Sequence, residues 1–155
     1  MNDIKEEIII KFLNEEYYEK ACALINKIFK TEDNQIDESS ITGKINENCK
    51  ILGALRDNQV VGLIVVSIIN KPFKSHKYLQ LDYVCTDPDC RRMGIGNKLL
   101  IECEKFAKEN NCKQISFTSS YSRTDAHNFY LKHDYKIVES AVFKKEIWFF
   151  LFFCL

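Results

Sequence analysis

The residues with the clearest chemical potential lie between 86 and 98, which read Thr-Asp-Pro-Asp-Cys-Arg-Arg-Met-Gly-Ile-Gly-Asn-Lys. Arg91 and Arg92 carry planar guanidinium forks that donate to phosphate oxygens in pairs. Gly94 and Gly96 let the backbone approach a ligand closely and adopt positive φ. They precede Leu99, Leu100, Cys103, Phe106 and Ala107, whose spacing reads as a helix with one apolar stripe facing a sheet. A helix start presents N–H groups without acceptors and the positive end of the aligned peptide dipoles. Strand end, arginines, glycines and helix start together make an anion cradle suited to a pyrophosphate. The stretch lacks the Gly-Lys-Ser/Thr ending of a P-loop, and two glycines after a late strand are not a dinucleotide fingerprint. Taken alone, two glycines at a helix start describe an unliganded turn equally well.

The elements that must position this loop can be read from periodicity. Ile8 to Phe12 form a short strand, and Tyr17, Ala21, Leu24, Ile25 and Ile28 recur at helical steps within residues 15–29. A polar loop over 31–40 leads to a weaker helix near 41–46. Residues 51–55 and 60–69 are strands joined by Asp57-Asn58, a tight hairpin turn. Pro72 breaks the pattern, residues 78–86 form a further strand, and Asp87-Pro88 ends it. After the long helix come a strand over 114–118 and a helix capped by Thr124 or Asp125 that runs to about His133. One or two closing strands follow over 135–147. The order β-α-α-β-β-β-α-β-α-β-β predicts a mixed, mostly antiparallel central sheet in an α/β fold, flanked by helices on both faces. Residues 1–147 read as one domain, with an apolar tail over 148–155.

Two motifs in this frame resemble those of the GNAT superfamily of acetyl-CoA-dependent N-acetyltransferases. Arg91-x-x-Gly94-x-Gly96 after a strand, with Asp87-Pro88 between, resembles that family's acyl-CoA-binding motif. Some thirty residues on, Ala126-His127-Asn128-Phe129-Tyr130-Leu131-Lys132-His133-Asp134-Tyr135 resembles its second signature, and Val142-Phe143-Lys144-Lys145 its closing strand. The resemblance runs from about residue 7 to 147. Two positions depart from it. Asp134 stands where the family has glycine, and aspartate tolerates the left-handed conformation such a turn requires. Arg123 stands where many members have an asparagine that contacts pantetheine.

The resemblance implies a fold, a co-substrate and a chemistry. The strand over 78–86 would splay from its neighbour, freeing backbone groups of Val84 and Thr86 to pair with the pantetheine arm as an added strand. A backbone N–H near Val84 or Cys85 would polarise the thioester carbonyl. Arg91, Arg92 and the backbone of Met93, Gly94, Ile95, Gly96 and Asn97 would hold the phosphates of acetyl-CoA. Tyr130 is the candidate general acid, since a phenol of pKa ~10 stays protonated at neutral pH and can supply a departing thiolate. A buried tyrosine needs no catalytic reason, so a core aromatic is the competing role. Asp82 is the candidate base. Alternation along the strand would turn it to the same side as Val84 and Thr86. A positioning or structural carboxylate is its competing role. Some family members place a glutamate at the position of Gln80, which cannot act as a base.

Composition narrows the remaining options. The chain has 155 residues, enough for one core, and Lys plus Arg equals Asp plus Glu at 22 each. The net field therefore offers no pull toward nucleic acid or an anionic membrane. Seven cysteines, without a Cys-x-x-Cys pair, fit reduced thiols packed as small apolar residues in a cytoplasmic protein. No metal site and no Cys/His nucleophile arrangement is legible, which disfavours an acyl-enzyme through Cys85 or Cys90. The apolar run over 148–155 is shorter than the ~20 residues of a membrane span. Exposed, it would favour self-association into a dimer. The expected activity is acetyl transfer to an unidentified primary amine by direct attack. The alternative is a non-catalytic acyl-CoA sensor that kept the cradle.

Overall fold

Chain order and sheet order coincide in this protein. The computed structural model describes residues 7–29 and 36–145, and the chain divides into two compact units, residues 1–118 and 119–155. The first unit runs β1 (Ile9–Phe12), α1 (Tyr18–Phe29), β2 (Cys49–Arg56), β3 (Gln59–Ile69), β4 (Lys77–Thr86), α2 (Ile95–Glu109) and β5 (Cys112–Ser116). Strands β1 to β4 pair antiparallel with their chain neighbours, and β5 lies parallel to β4. A tight turn forces the first arrangement and a helical crossover the second. Asp57 and Asn58 take φ 48° and 61°, the two left-handed residues of a hairpin turn whose twist matches that of the strands.

Helices cover both faces of this sheet, which explains why β2 and β3 read as nearly continuous apolar runs. On one face Ile51, Leu55, Leu63 and Cys85 pack with Tyr18, Ala21, Leu24 and Ile25 of α1. On the other, a Cβ added to Gly62 of β3 would lie 2.8 Å from Ile95 Cγ2 and 3.3 Å from Leu99 Cδ1 of α2. Leu52, Leu63, Ile64, Leu79, Leu81, Ile95, Leu99 and Leu100 are fully buried. Each such side chain contributes on the order of 1.5–3 kcal/mol.

The second unit contributes α3 (Thr124–Lys132). Its end is closed by a left-handed residue, Asp134 at φ 63°. The Asp134 N–H donates to the Leu131 carbonyl and the Tyr135 N–H to the Tyr130 carbonyl, both at 3.2 Å. Those two bonds satisfy carbonyls that the helix leaves open, and the Tyr130 and Tyr135 rings meet at 6.2 Å across the cap. Asp134 thus performs the turn expected of a glycine.

Three expectations are corrected. No helix forms over 41–46; a single 3-10 turn, Glu38–Ser40, is followed by a turn with Gly43 at φ 75°. Thr124 and Asp125 lie inside the first turn of α3, and Arg123 holds the cap position without a side-chain bond. Residues 135–145 form no strand, for alternation makes a strand only where a partner supplies the ladder, and Val142 and Phe143 stand exposed. The tail over 148–155 lies outside the described residues.

Candidate active site

Strand β4 is longer than its parallel partner. The β4–β5 ladder ends at the pair Gln80 and Ser116, whereas β4 continues to Thr86. Among the described residues no strand pairs with 81–86 on that side. On the other side β3 pairs as far as Thr86, but the register slips: Val65 faces Asp82 and Leu63 faces Cys85. Tyr83 is the inserted residue, at φ 52°, and such a bulge bends and twists the strand. Sheet opening and bulge coincide at the same few residues.

The bulge decides where the site residues point. The Asp87 N–H donates to the Val61 carbonyl at 2.8 Å, and the Cys85 carbonyl oxygen lies 3.3 Å from the Cβ position of Gly62. Both groups turn toward β3. By alternation, the main-chain groups of Val84 and Thr86 turn to the open edge. Side chains follow a different rule. Asp82 pairs with Val65, which packs on the α1 side, whereas Thr86 pairs with Gly62, which faces α2. The expectation that Asp82 shares a face with Thr86 is therefore overturned, because the extra residue at Tyr83 breaks the two-residue period. Asp82 is exposed, Val84 and Thr86 are half-buried, and Cys85 is buried in the α1 cluster.

Beyond β4 the chain makes one 3-10 turn, Pro88–Cys90, and then the glycine loop. Asp87 starts this turn. Its Oδ1 accepts from the Asp89 N–H at 3.0 Å and its carbonyl from the Cys90 N–H at 2.9 Å. Arg92 and Gly94 take φ 64° and 74°, so the chain turns sharply into α2. Gly94 caps that helix, and the first bond into it runs from the Lys98 N–H to the Gly94 carbonyl at 3.0 Å. The N–H groups of Ile95, Gly96 and Asn97 therefore have no acceptor within the helix. A Cβ on Gly94 would meet nothing within 4 Å, so the approach to these donors is open. Arg91, Arg92 and Met93 are exposed around it, while Ile95 is buried and anchors the helix start.

Sequence reasoning missed three supports of this loop. Lys27 of α1 reaches Asp87 Oδ1 and Oδ2 at 2.8 and 2.9 Å and Asp89 Oδ2 at 2.9 Å. The Lys27 ammonium holds the Asp87 carboxyl below its ordinary value, and the two carboxylates hold Lys27 above its own. Arg56, at the end of β2, places Nη1 3.7 Å from Cys90 Sγ and 3.9 Å from Met93 Sδ. Gly62 admits Ile95 against the sheet. Only Gly62 had a local signal, as a lone glycine inside a strand pattern often marks a close approach. The other two are contacts across 34 to 62 residues.

Tyr130 belongs to the second unit. It is 8% exposed, its ring meets Phe129 edge-on at 5.5 Å, and its carbonyl accepts the capping bonds of α3. Cys22, Cys85, Cys90 and Cys103 are buried without disulfides, and burial pushes the Cys103 thiol up to about 12.

Comparison with known proteins places this geometry. Residues 9–135 match the model of the acetyltransferase (GNAT) family. The aminoalkylphosphonate N-acetyltransferase of Salmonella typhimurium is 28% identical over 116 residues, 74% of this chain and 75% of that protein. An aminoglycoside acetyltransferase from an uncultured soil metagenomic sample, solved with sisomicin, superimposes with a TM-score of 0.80 at 18% identity. That match covers 91% of this chain and 96% of that one. An aminoglycoside N-acetyltransferase solved in complex with CoA gives a TM-score of 0.78 at 13% identity, covering 94% and 99%. Both solved structures share the fold, and the family match spans most of the chain. The protein belongs to the GNAT family of acetyltransferases and is an acyltransferase.

Proposed function

We propose that the protein transfers the acetyl group of acetyl-CoA to a primary amine, of a small molecule or of a protein, by direct attack within a ternary complex. One observation carries the reading: beyond Gln80, β4 meets no strand on its β5 side among the described residues, and that edge leads into an open anion cradle at Gly94. The cradle fits a pyrophosphate. Arg91 and Arg92 would donate to the phosphates together with the N–H groups from Met93 to Asn97. The Val84 and Thr86 main chain would hold the pantetheine arm as an added strand. Acetyl-CoA supplies an acetyl group activated as a thioester.

Chemistry then falls to a few groups. The Val84 N–H, turned to the open edge, would stabilise negative charge developing on the carbonyl oxygen. The amine nitrogen forms a bond to the carbonyl carbon, the carbon–sulfur bond breaks, and the sulfur keeps the electron pair. Asp82 accepts the amine proton directly or through water, and Tyr130 returns one to the thiolate. Burial of Cys85 and Cys90 favours direct attack over a route through an acetylated cysteine, because a buried thiol cannot present an in-line nucleophile. A cytoplasmic setting fits cysteines that form no disulfide among the described residues. The test couples calorimetric titration of acetyl-CoA with thiol release over a panel of amines. Binding with turnover supports the proposal. Binding without turnover on any amine would favour a sensor, and absence of binding would remove the cradle reading.

A further inference from the structure

Tyr83 is an aromatic residue held at positive φ beside the site. A bulky aromatic at φ 52° occupies backbone space that glycine, asparagine or aspartate fills at lower cost, and Tyr83 is also 45% exposed. The bulge accounts for the backbone, but the half-exposed ring of Tyr83 is not held by the core. Its ring instead leans edge-on against Phe29 at the end of α1, with centroids 5.7 Å apart and planes at 84°. Phe29 is half-buried and packs against the α1 core, so it is the fixed member of the pair. Next to them stands the exposed carboxylate of Asp82, on the α1 face by its pairing with Val65. An apolar, aromatic surface with one carboxylate beside it therefore flanks the point where β4 parts from β5.

From this juxtaposition we infer that the acceptor is a primary amine carried on a flat apolar body, an arylalkylamine in chemical class. The aromatic pair contacts the body while Asp82 receives the ammonium end. This rests on the acetyl-transfer reading above and specifies its second substrate. Charge separates the class from the substrates named for the relatives. A phosphonate would face Asp82, and the nearby cation Lys27 is already engaged by Asp87 and Asp89. A polyhydroxylated aminosugar needs hydrogen-bond partners for every hydroxyl, and of the Phe29, Tyr83 and Asp82 side chains only the Tyr83 hydroxyl and the Asp82 carboxylate supply any. The strain at Tyr83 is then the cost of aiming an aromatic ring at the acceptor, in the way bulges beside active sites redirect side chains.

The experiment compares benzylamine and phenethylamine with glucosamine and aminomethylphosphonate by thiol release at saturating acetyl-CoA, with acetyl-CoA affinity measured in parallel. The aromatic amines should show the highest kcat/KM. Tyr83→Gly relieves the backbone, so it should fold, melt no lower than wild type and bind acetyl-CoA unchanged. It should raise KM for benzylamine roughly five- to tenfold, the scale of one aromatic contact, with kcat little altered. Tyr83→Phe should behave as wild type. Glucosamine or aminomethylphosphonate serving better than the aromatic amines would overturn the acceptor class while leaving acetyl transfer in place. Unchanged KM in a folded Tyr83→Gly protein would overturn the role of the ring. No turnover of either aromatic amine rejects the class outright, and failure to bind acetyl-CoA in the same experiment would remove the underlying reading as well.

Discussion

The loop over 87–94 and the helix α3 reach their shapes by opposite means. The loop is built from outside: Lys27 from α1, Val61 and Gly62 from β3 and Arg56 from β2 all bear on it. Its functional groups are left exposed. Helix α3 is closed from within, by a left-handed Asp134 and two main-chain bonds, and its candidate functional side chain, Tyr130, is buried. The first design suits binding through backbone donors that must remain free. The second suits a single hydroxyl whose direction matters more than its access. The proposed function assigns affinity to the loop and proton transfer to Tyr130, two differently supported segments.

That division can be broken at either end, and the largest effect is expected at Tyr130. Tyr130→Phe should leave acetyl-CoA affinity unchanged and lower kcat by about 10²–10⁴-fold, the range for loss of a general acid. Turnover at the wild-type rate on a good amine would return Tyr130 to the role of a core aromatic. Gly94→Val should do the converse. It places a β-branched residue at φ 74° and a side chain in the open approach to the α2 donors. Acetyl-CoA affinity should fall roughly tenfold or more, equivalent to ~1.4 kcal/mol, as read by calorimetry on a protein of unchanged circular dichroism.

The supports of the loop should give smaller effects. Gly62→Ala must displace Ile95 from a 2.8 Å contact, and overpacking of this kind costs about 1–3 kcal/mol. Urea denaturation should show a lower midpoint at unchanged slope. An equal midpoint would mean that α2 moves aside freely. Lys27→Met should weaken acetyl-CoA binding by about two- to fivefold, the scale of an exposed ion pair, with the difference shrinking at high salt. Asp87 is held below its ordinary pKa of 3.8 and Lys27 above its ordinary 10.5. The stability this pair contributes is therefore complete between those values. It is lost as pH falls through the depressed Asp87 pKa or rises through the elevated one of Lys27. A titrating difference between wild type and Lys27→Met near neutrality would contradict the assignment.

What could be read from sequence was local, and what could not was not. The Asp57-Asn58 turn, α2 and the glycine loop each announce themselves within a few residues, because turn chemistry, periodicity and positive φ are near-neighbour effects. Asp134 was legible as a glycine substitute for the same reason. The bulge at Tyr83 was not, since nothing about a tyrosine between Asp82 and Val84 signals φ 52°, and its presence reversed the face assigned to Asp82. Lys27 and Arg56 were invisible because ion pairs and sulfur contacts across the sheet leave no periodicity. Over 135–145 the expected strands failed for the same cause: apolar alternation proposes a strand, but a partner elsewhere in the chain must accept it.

The most direct test of acetyl transfer by direct attack is a single-turnover reaction followed by intact-protein mass spectrometry. Enzyme is mixed with acetyl-CoA, sampled, and then given an amine. The account predicts an unmodified protein mass throughout, with free thiol and N-acetylated amine appearing together in equal amounts after the amine is added. A protein heavier by one acetyl group before the amine arrives, chased to wild-type mass by its addition, would contradict it.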